Sequence, residues 1–178
     1  MLIERARSQV LLVDMQERLV PAMTGAAELV ANCGILLRAA HKLAIPILAS
    51  EQYPKGLGHT LPELAALAPI RPEKVEFSCC ANAVLREELS RAGRKQVVLC
   101  GVEAHVCVLQ TGLDLIEAGF QVFVVTDAVS SRRVESRDVA LRRIAGAGGT
   151  PVTVEMALFE WLRSAAAPDF RAISKLIR

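Results

Sequence analysis

Short apolar runs alternate with longer segments of helical periodicity along this chain. The short runs are rich in Val, Ile and Leu, which is typical of strands that are buried on both faces of a sheet. They predict strands at residues 9–15, 45–49, 96–100, 120–126 and 151–154, with a short extended segment at 74–78. Apolar positions spaced three and four residues apart predict helices between them. These helices are expected at 26–43, 81–92, 105–119, 137–147, 156–163 and 169–178, with a helical turn at 63–67.

The alternation of strands and helices indicates the fold class. Strands joined through helices pair in parallel with right-handed crossovers, and the helices then cover both faces of the sheet. We therefore predict an α/β fold: a three-layer α/β/α sandwich with a central, mainly parallel, six-stranded Rossmann-like sheet, in a single domain over residues 1–178. The active crevice of such a sheet lies beyond the carboxyl ends of its strands. Asp14, Cys107, Asp127 and the loop at 50–62 follow predicted strands directly, so we expect them at this edge.

Composition narrows the class of protein. A hydrophobic fraction of 52% in 178 residues is enough for one sizeable core, and the net charge of +2 comes from scattered charges. This argues against a nucleic-acid surface or a membrane-binding face and favours a small-molecule substrate. The N-terminus carries charges where a signal peptide needs an apolar core, so we expect a cytoplasmic protein. The five cysteines are odd in number and lie mostly in apolar runs, which indicates reduced thiols.

The segment at 95–110 carries the strongest indication of chemistry. A predicted strand stops at Gly101, and Cys107 follows in the opening turn of a helix. Unpaired backbone N–H groups and the positive end of the helix dipole stabilise a thiolate there, so we expect Cys107 to have a lowered pKa and to act as a nucleophile. Asp14 is the candidate that accepts and returns its proton. The alternatives are a small core residue at Cys107 and a helix cap or surface ion pair at Asp14.

Five segments of the chain resemble the isochorismatase-like cysteine hydrolases, in particular their isochorismatase domain-containing branch. They span most of the sequence and read VLLVDMQERL, EQYPKGLG, EKVEFSCC, VVLCGVEAHVCVLQTGLDL and FQVFVVTDAVSSR. The resemblance implies a triad in which Asp14 is the general base, Lys74 lowers the thiol pKa and orients Asp14, and Cys107 forms a covalent acyl intermediate. It also implies a cis peptide bond between Val102 and Glu103, with the backbone N–H groups of Glu103 and Cys107 as oxyanion donors.

Further site residues are expected around the loop after the second strand. We predict a substrate pocket formed by Gln16, Gln52, Tyr53, Phe77 and His105, with Glu51 as a further candidate. Relatives that act as nicotinamidases carry an Asp-x-His pair and another His here as metal ligands, whereas this chain has only His59 nearby. A single imidazole without a second nitrogen or an aligned carboxylate does not make a transition-metal site. We therefore predict no metal and no cofactor, and the pattern argues against nicotinamidase activity.

Together these residues predict a metal-independent cysteine hydrolase that cleaves a small amide-type C–N bond through a thioester intermediate. One alternative is a catalytically silent small-molecule-binding or assembly protein with its assembly surface at 156–178, and another is a thiol redox sensor at Cys79 and Cys80. A homo-oligomer, a dimer or larger, is expected because the resemblance implies one. The apolar terminal segment with Phe159, Trp161 and Phe170 points the same way, because we expect one small domain to leave it partly uncovered.

Overall fold

The computed structural model, which describes residues 1–177, contains a six-stranded parallel sheet. The strands are β1 (Ser8–Val13), β2 (Ile47–Gln52), β3 (Glu73–Lys74), β4 (Gln96–Gly101), β5 (Gln121–Val129) and β6 (Thr150–Val152). Their order across the sheet is β3-β2-β1-β4-β5-β6, and every neighbouring pair is parallel. The predicted mainly parallel sheet is therefore confirmed.

Helices cover both faces of this sheet. They are α1 (Ala26–Lys42), α2 (Pro54–Leu57), α3 (Pro62–Ala65), α4 (Ala83–Arg91), α5 (Leu109–Glu117), α6 (Val134–Gly146), α7 (Val154–Leu162) and α8 (Phe170–Ser174). Buried side chains of α1, α7 and α8 belong to one apolar cluster, and those of α4, α5 and α6 belong to a second. The two clusters lie on opposite faces of the sheet, which confirms the three-layer sandwich.

The two central strands show how the sequence produces these layers. All six residues of β1 and all six of β4 are buried. Successive side chains of a strand point to opposite faces. Val10 and Leu12 accordingly belong to the cluster under α1, whereas Leu11 and Val13 belong to the cluster under α5. A strand covered on both sides must be apolar on both faces, which explains the continuous apolar runs.

The order of the strands reverses direction between β1 and β4. From β1 the chain adds β2 and β3 on one side, and it then crosses to β4 on the other. A crevice forms at such a switch point, beyond the carboxyl ends of the strands. Val13, the last residue of β1, is in register with Ser50 of β2 and with Gly101 of β4. The segments that leave these three positions therefore meet at one point.

Gly101 allows β4 to leave the sheet next to β1. Its φ is +109°, and a Cβ atom at this position would lie 2.1 Å from the carbonyl oxygen of Val13. No side chain fits in that space, so the close approach of the two backbones requires glycine. The N–H of the next residue, Val102, donates to the Val13 carbonyl at 2.9 Å.

Several predicted boundaries were wrong, and the differences concern the site. β1 ends at Val13, so Asp14 lies just beyond it, whereas β2 extends to Gln52 and places Ser50 on a strand and not in a loop. β5 continues to Val129, so Asp127 lies within it, and Asp127 Oδ1 accepts from the N–H of Val154 at 2.9 Å, where α7 begins. Backbone pairing in β2 and β5 continues beyond the end of the apolar run, whereas in β1 it stops before the run ends.

The terminal segment packs on its own chain. The helix predicted at 169–178 is α8 followed by a 3-10 turn, Lys175–Ile177, and residue 178 lies outside the described residues. Ile173 is buried in the core, and the indole N–H of Trp161 donates to Ser8 Oγ at 2.9 Å. The segment is partly uncovered, as expected: Met156 and Phe159 are 47% and 41% exposed, whereas Trp161 is buried. Within residues 1–177 the helices are too short or too polar to cross a membrane.

Candidate active site

Asp14 lies at the centre of the crevice between β1 and β4. Its φ is +50°, and its side chain is fully buried. Oδ1 accepts a hydrogen bond from Ser50 Oγ at 2.6 Å, and Oδ2 accepts one from Lys74 Nζ at 2.8 Å. Burial raises the pKa of Asp14 above its ordinary value, against the lowering effects of Lys74, Ser50 and Cys107. A buried carboxylate with a raised pKa is a stronger base than an exposed aspartate.

Lys74 lies on the short edge strand β3, which pairs with the end of β2. Its side chain is fully buried, and besides Asp14 its ammonium group donates to Gln52 Oε1 and to the carbonyl oxygens of Glu76 and Phe77, both at 3.2 Å. Burial opposes the charged ammonium, but the Asp14 carboxylate and the nearby thiols raise the pKa of Lys74 above its ordinary value. Lys74 is therefore a cation held in one place at neutral pH.

Cys107 lies in a single π-helical turn, Ala104–Val108, directly before α5. Its thiol lies close enough to Asp14 for the two groups to affect each other's pKa, and only 5% of the residue is exposed. Burial and the charge of Asp14 raise the pKa of Cys107 well above its ordinary value, and the opposing effect of Lys74 is smaller. The predicted lowering of the thiol pKa was therefore wrong, because sequence shows the helix end but not the depth of burial. In this arrangement the thiol is protonated and lies beside Asp14.

The structure thus brings together the three residues expected to form the triad. They lie at or beyond the ends of β1, β3 and β4; Lys74 contacts the Asp14 carboxylate, and Cys107 lies near enough for the carboxylate to raise its pKa. A thiol, a carboxylate of raised proton affinity and a fixed ammonium form a site in which a proton can pass from sulfur to oxygen as the sulfur forms a new bond.

Gln16 and Gln52 were both expected in the substrate pocket, and the structure gives them other partners. The buried amide of Gln16 donates to the carbonyls of Gln52 and Gly58 at 2.9 and 2.7 Å, and its oxygen accepts from the Gln52 N–H at 2.7 Å. The prediction for Gln16 was wrong, because its amide forms hydrogen bonds with backbone groups of Gln52 and Gly58. Gln52 donates to the Val75 carbonyl at 2.9 Å while accepting from Lys74, so it positions the lysine.

Tyr53 and Phe77 flank Lys74 with largely exposed rings, at 54% and 53% exposure. Tyr53 lines a cavity of about 360 Å³ together with Lys74, Val75 and Asn82. The lining of this cavity does not include Phe77. His105 lines other cavities beside α6, and its Nδ1 is 2.9 Å from Ser131 Oγ. A substrate pocket that joins Tyr53, Phe77 and His105 therefore stays a prediction.

Glu103 is held by a charged partner from the loop after β5. Its carboxylate accepts from the side chain of Arg132 at 3.0 Å and from the Arg132 N–H at 3.4 Å. The peptide bond between Val102 and Glu103 is cis, as the resemblance implied. The ion pair fixes the backbone that leads from β4 into the turn with Cys107.

The residues considered for metal binding form a structural contact instead. Glu51 is buried, and its carboxylate accepts from the Thr60 N–H and hydroxyl, both at 2.8 Å, and pairs with His59 Nδ1 at 3.0 Å. Burial opposes the charge, but the partners Thr60 and His59 lower the pKa of Glu51. The prediction that His59 lacks an aligned carboxylate was wrong, and Glu51 is occupied in closing the loop 53–60. Across residues 1–177 no three His, Cys, Asp or Glu side chains are grouped so as to hold a metal ion.

Ser50 is the site residue that the sequence did not single out. It is buried, its hydroxyl binds Asp14, and Sγ of the buried Cys79 lies 3.5 Å from the same hydroxyl oxygen. The available signal was a serine directly after the predicted strand at 45–49. Because that strand was predicted to end one residue too early, Ser50 was not placed opposite Val13.

The parallel sheet and the buried cluster of Asp14, Lys74 and Cys107 define an α/β protein of the hydrolase type. The Isochorismatase domain model matches residues 8–156, so the chain belongs to the isochorismatase family. The family resemblance seen in the sequence is therefore confirmed.

Individual relatives agree over nearly the full chain. Isochorismatase domain-containing protein 2 of Danio rerio is 41% identical over 170 residues, which are 96% of this chain and 86% of that protein. The solved structure of the MAR1 ribonuclease from Caenorhabditis elegans has a TM-score of 0.93 at 37% identity and covers 99% of this chain and 92% of its own. The YcaC gene product of Escherichia coli, described as an octameric hydrolase of unknown specificity, has a TM-score of 0.94 at 27% identity, with 99% and 89% coverage.

Proposed function

We propose that this protein is a cysteine hydrolase that cleaves a small amide-type C–N bond through a thioester on Cys107. The observation that carries this proposal is the buried ion pair of Asp14 with Lys74 Nζ, at 2.8 Å, beside the buried Cys107 thiol. The thiol is protonated at rest, so the nucleophile is generated during attack and not beforehand. Asp14 is suited to this because burial makes it a stronger base than an exposed aspartate.

In the first half of the reaction Cys107 Sγ attacks the carbonyl carbon while Asp14 takes the thiol proton. The developing oxyanion accepts hydrogen bonds from the backbone N–H groups of Glu103 and Cys107, which follow the end of β4. Asp14 then returns the proton to the leaving nitrogen as the C–N bond breaks, which leaves a thioester and a free amine or ammonia. Lys74 stabilises the Asp14 carboxylate and keeps it aligned.

In the second half, water attacks the thioester carbon and gives its proton to Asp14. The C–S bond breaks, the carboxylic acid leaves, and the proton returns to Cys107, so the protein ends as it began. Each proton in this scheme is carried by the chain's own groups, so metal independence is part of the proposal. Dialysis against a chelator should leave turnover unchanged.

The test is a panel of small amides, nitriles and carbamoyl compounds assayed for ammonia or amine release. Wild type should hydrolyse at least one class, and Cys107→Ala should show no turnover above the uncatalysed rate. Cys80→Ala is the matched control, because Cys80 is not among the groups that act on Asp14 and its thiol lies outside the cluster. Intact-mass analysis of quenched wild type should show the acyl adduct on Cys107. Equal rates for wild type and Cys107→Ala would overturn the proposal.

A catalytically silent binding protein is the second candidate, and the 5% exposure of Cys107 favours it. The two candidates differ in the reactivity of the thiol. In a hydrolase Asp14 should take the Cys107 proton as iodoacetamide attacks, so Cys107 should react before the other cysteines and already at neutral pH, whereas a silent homologue should leave Cys107 unmodified. A single-stranded RNA belongs in the panel, because one relative is described as a ribonuclease.

We also propose that the protein is cytoplasmic and forms a homo-oligomer in solution. An octameric relative that matches 99% of this chain supports the assembly. Light scattering coupled to size exclusion should give a mass of at least twice the 19.2 kDa of the chain. A monomer at micromolar concentration would contradict this.

A further inference from the structure

The proposed mechanism gives no role to Cys79, a buried thiol close to Asp14. Cys79 is fully buried at the start of the 3-10 turn Cys79–Ala81, and its backbone N–H donates to Thr111 Oγ1 at 2.9 Å. Thr111 lies on α5, one helical turn after Cys107. This contact fixes Cys79 against the helix that carries the nucleophile.

A chain of hydrogen bonds leads from Cys79 to Asp14. Cys79 Sγ lies 3.5 Å from Ser50 Oγ, and Ser50 Oγ lies 2.6 Å from Asp14 Oδ1. An ionised carboxylate only accepts hydrogen bonds, so the single hydroxyl proton of Ser50 must point to Asp14. The Ser50 oxygen then accepts from the thiol of Cys79, whose pKa is raised by burial, so that it stays protonated.

We propose that Ser50 and Cys79 are positioning residues for the catalytic base: Cys79 orients the Ser50 hydroxyl, and Ser50 holds Asp14 and limits its basicity. The catalytic consequence rests on the proposed function, but the hydrogen-bond relay does not. Ser50 occupies Oδ1 and Lys74 occupies Oδ2, so each carboxylate oxygen has one fixed donor and keeps lone pairs for the Cys107 proton. The titratable groups that face Asp14 are Lys74 from β3, Cys79 from the 3-10 turn and Cys107 from the π-helical turn.

The readout is the rate of Cys107 alkylation by iodoacetamide as a function of pH, followed by peptide mass mapping. This rate needs no substrate. A Cys107 that is not alkylated at any pH would reject the hydrolase proposal, whereas a limb that is present but does not move would reject the relay, so the two failures are distinguishable. The alkylation rate should fall at low pH, as Asp14 gains a proton. This fall is the acid limb of the pH–rate profile. In Ser50→Ala the carboxylate loses a donor, so the limb should move to higher pH by about one to two units. Ser50→Thr keeps the hydroxyl and should restore the wild-type limb.

Cys79 gives the sharper test, because it is inferred to act only through Ser50. Cys79→Ala should move the limb in the same direction by less than Ser50→Ala, and Cys79→Ser, which keeps a donor, should leave it in place. In a double-mutant cycle, Cys79→Ala should add no shift in the Ser50→Ala background. Cys80→Ala is the matched control and should leave the limb unchanged.

An acid limb that stays at the wild-type pH in Ser50→Ala would overturn the proposal. Additive shifts from Ser50→Ala and Cys79→Ala would overturn the assignment of Cys79 to Ser50. If Ser50→Ala shows no cooperative unfolding transition, the comparison of Cys79→Ala with Cys79→Ser decides, and equal limbs in those two variants would also reject the relay.

Discussion

At the residue scale, the chemistry depends on how burial and charge act on Asp14 together. Burial favours the neutral acid, whereas Lys74 at 2.8 Å and the Ser50 hydroxyl favour the carboxylate. Burial is the larger effect, so the pKa of Asp14 lies above the ordinary aspartate value of about 3.9. The same burial raises the pKa of Cys107, which keeps the proton on sulfur until substrate arrives.

We expect kcat/KM to rise with pH through the raised pKa of Asp14 and to be lost as pH falls through it, because only the carboxylate accepts the thiol proton. Asp14→Asn should lower kcat by about 10² to 10⁴ fold at neutral pH. Lys74→Met should move the acid limb to still higher pH, since the cation that lowers the pKa of Asp14 is gone. The pH–rate profile measures both effects, and an unmoved limb in Lys74→Met would contradict the assigned role of the lysine.

Lys74→Met should also lower the free energy of unfolding, because it leaves a buried carboxylate without its partner. The expected loss is about 3 to 5 kcal/mol at neutral pH. Since the folded-state pKa of Asp14 is raised, ionised Asp14 costs stability above that pKa, and the loss should shrink as pH falls and Asp14 becomes neutral. Urea denaturation at several pH values measures this. Lys42→Met, at the exposed end of α1, is the control and should change stability little.

At the scale of elements, the register of the parallel strands assembles the site. Ser50 and Gly101 are both aligned with Val13, and Gln52 is aligned with Lys74, so the groups at the ends of four strands are set by backbone pairing. Convergence of Asp14 and Cys107 was predictable, because both follow predicted parallel strands whose carboxyl ends lie at one edge of the sheet. Asp127 follows a predicted strand too, but β5 extends past it and turns its carboxylate toward α7.

Asp127→Ala tests this difference between a site residue and a capping residue. Removing the acceptor of the Val154 N–H should lower the free energy of unfolding by about 1 kcal/mol and leave the alkylation rate of Cys107 unchanged. Asp127→Asn, which keeps an acceptor oxygen, should lose less. Chemical denaturation and mass mapping give the two readouts. A loss of Cys107 reactivity at unchanged stability would contradict the capping role and indicate that Asp127 acts in the active site.

At the scale of the whole molecule, the N-terminal segment is attached to α7. Glu160 accepts from the Ile3 N–H at 2.6 Å, Arg163 donates to the Ile3 carbonyl at 3.0 Å, and Trp161 donates to Ser8. These contacts join residues more than 150 positions apart and cover one end of the core. The buried terminal residues Trp161 and Ile173 therefore stabilise the fold of the single chain.

Trp161→Phe should lower the free energy of unfolding by about 1 to 3 kcal/mol, because it removes a buried hydrogen bond and packing volume. The oligomeric state should not change. Phe159→Leu is the control on the same helix, and its exposed position predicts little loss. Thermal unfolding and light scattering distinguish the outcomes, and dissociation of an oligomer in Trp161→Phe would place the interface at this helix after all.

The sequence by itself determined the strand and helix alternation, the parallel sheet and the edge at which Asp14 and Cys107 meet, whereas Lys74 was implied only by the family resemblance. These features depend on local periodicity and on motifs that keep their spacing along the chain. Only the tertiary structure decided that the Cys107 thiol is protonated and that the Gln16 amide binds the backbone carbonyl of Gly58. It also decided that Ser50 binds Asp14 and that Cys79 binds Ser50. Desolvation and hydrogen-bond partners depend on segments that are distant in sequence, and periodicity carries no information on which polar groups those segments bring together.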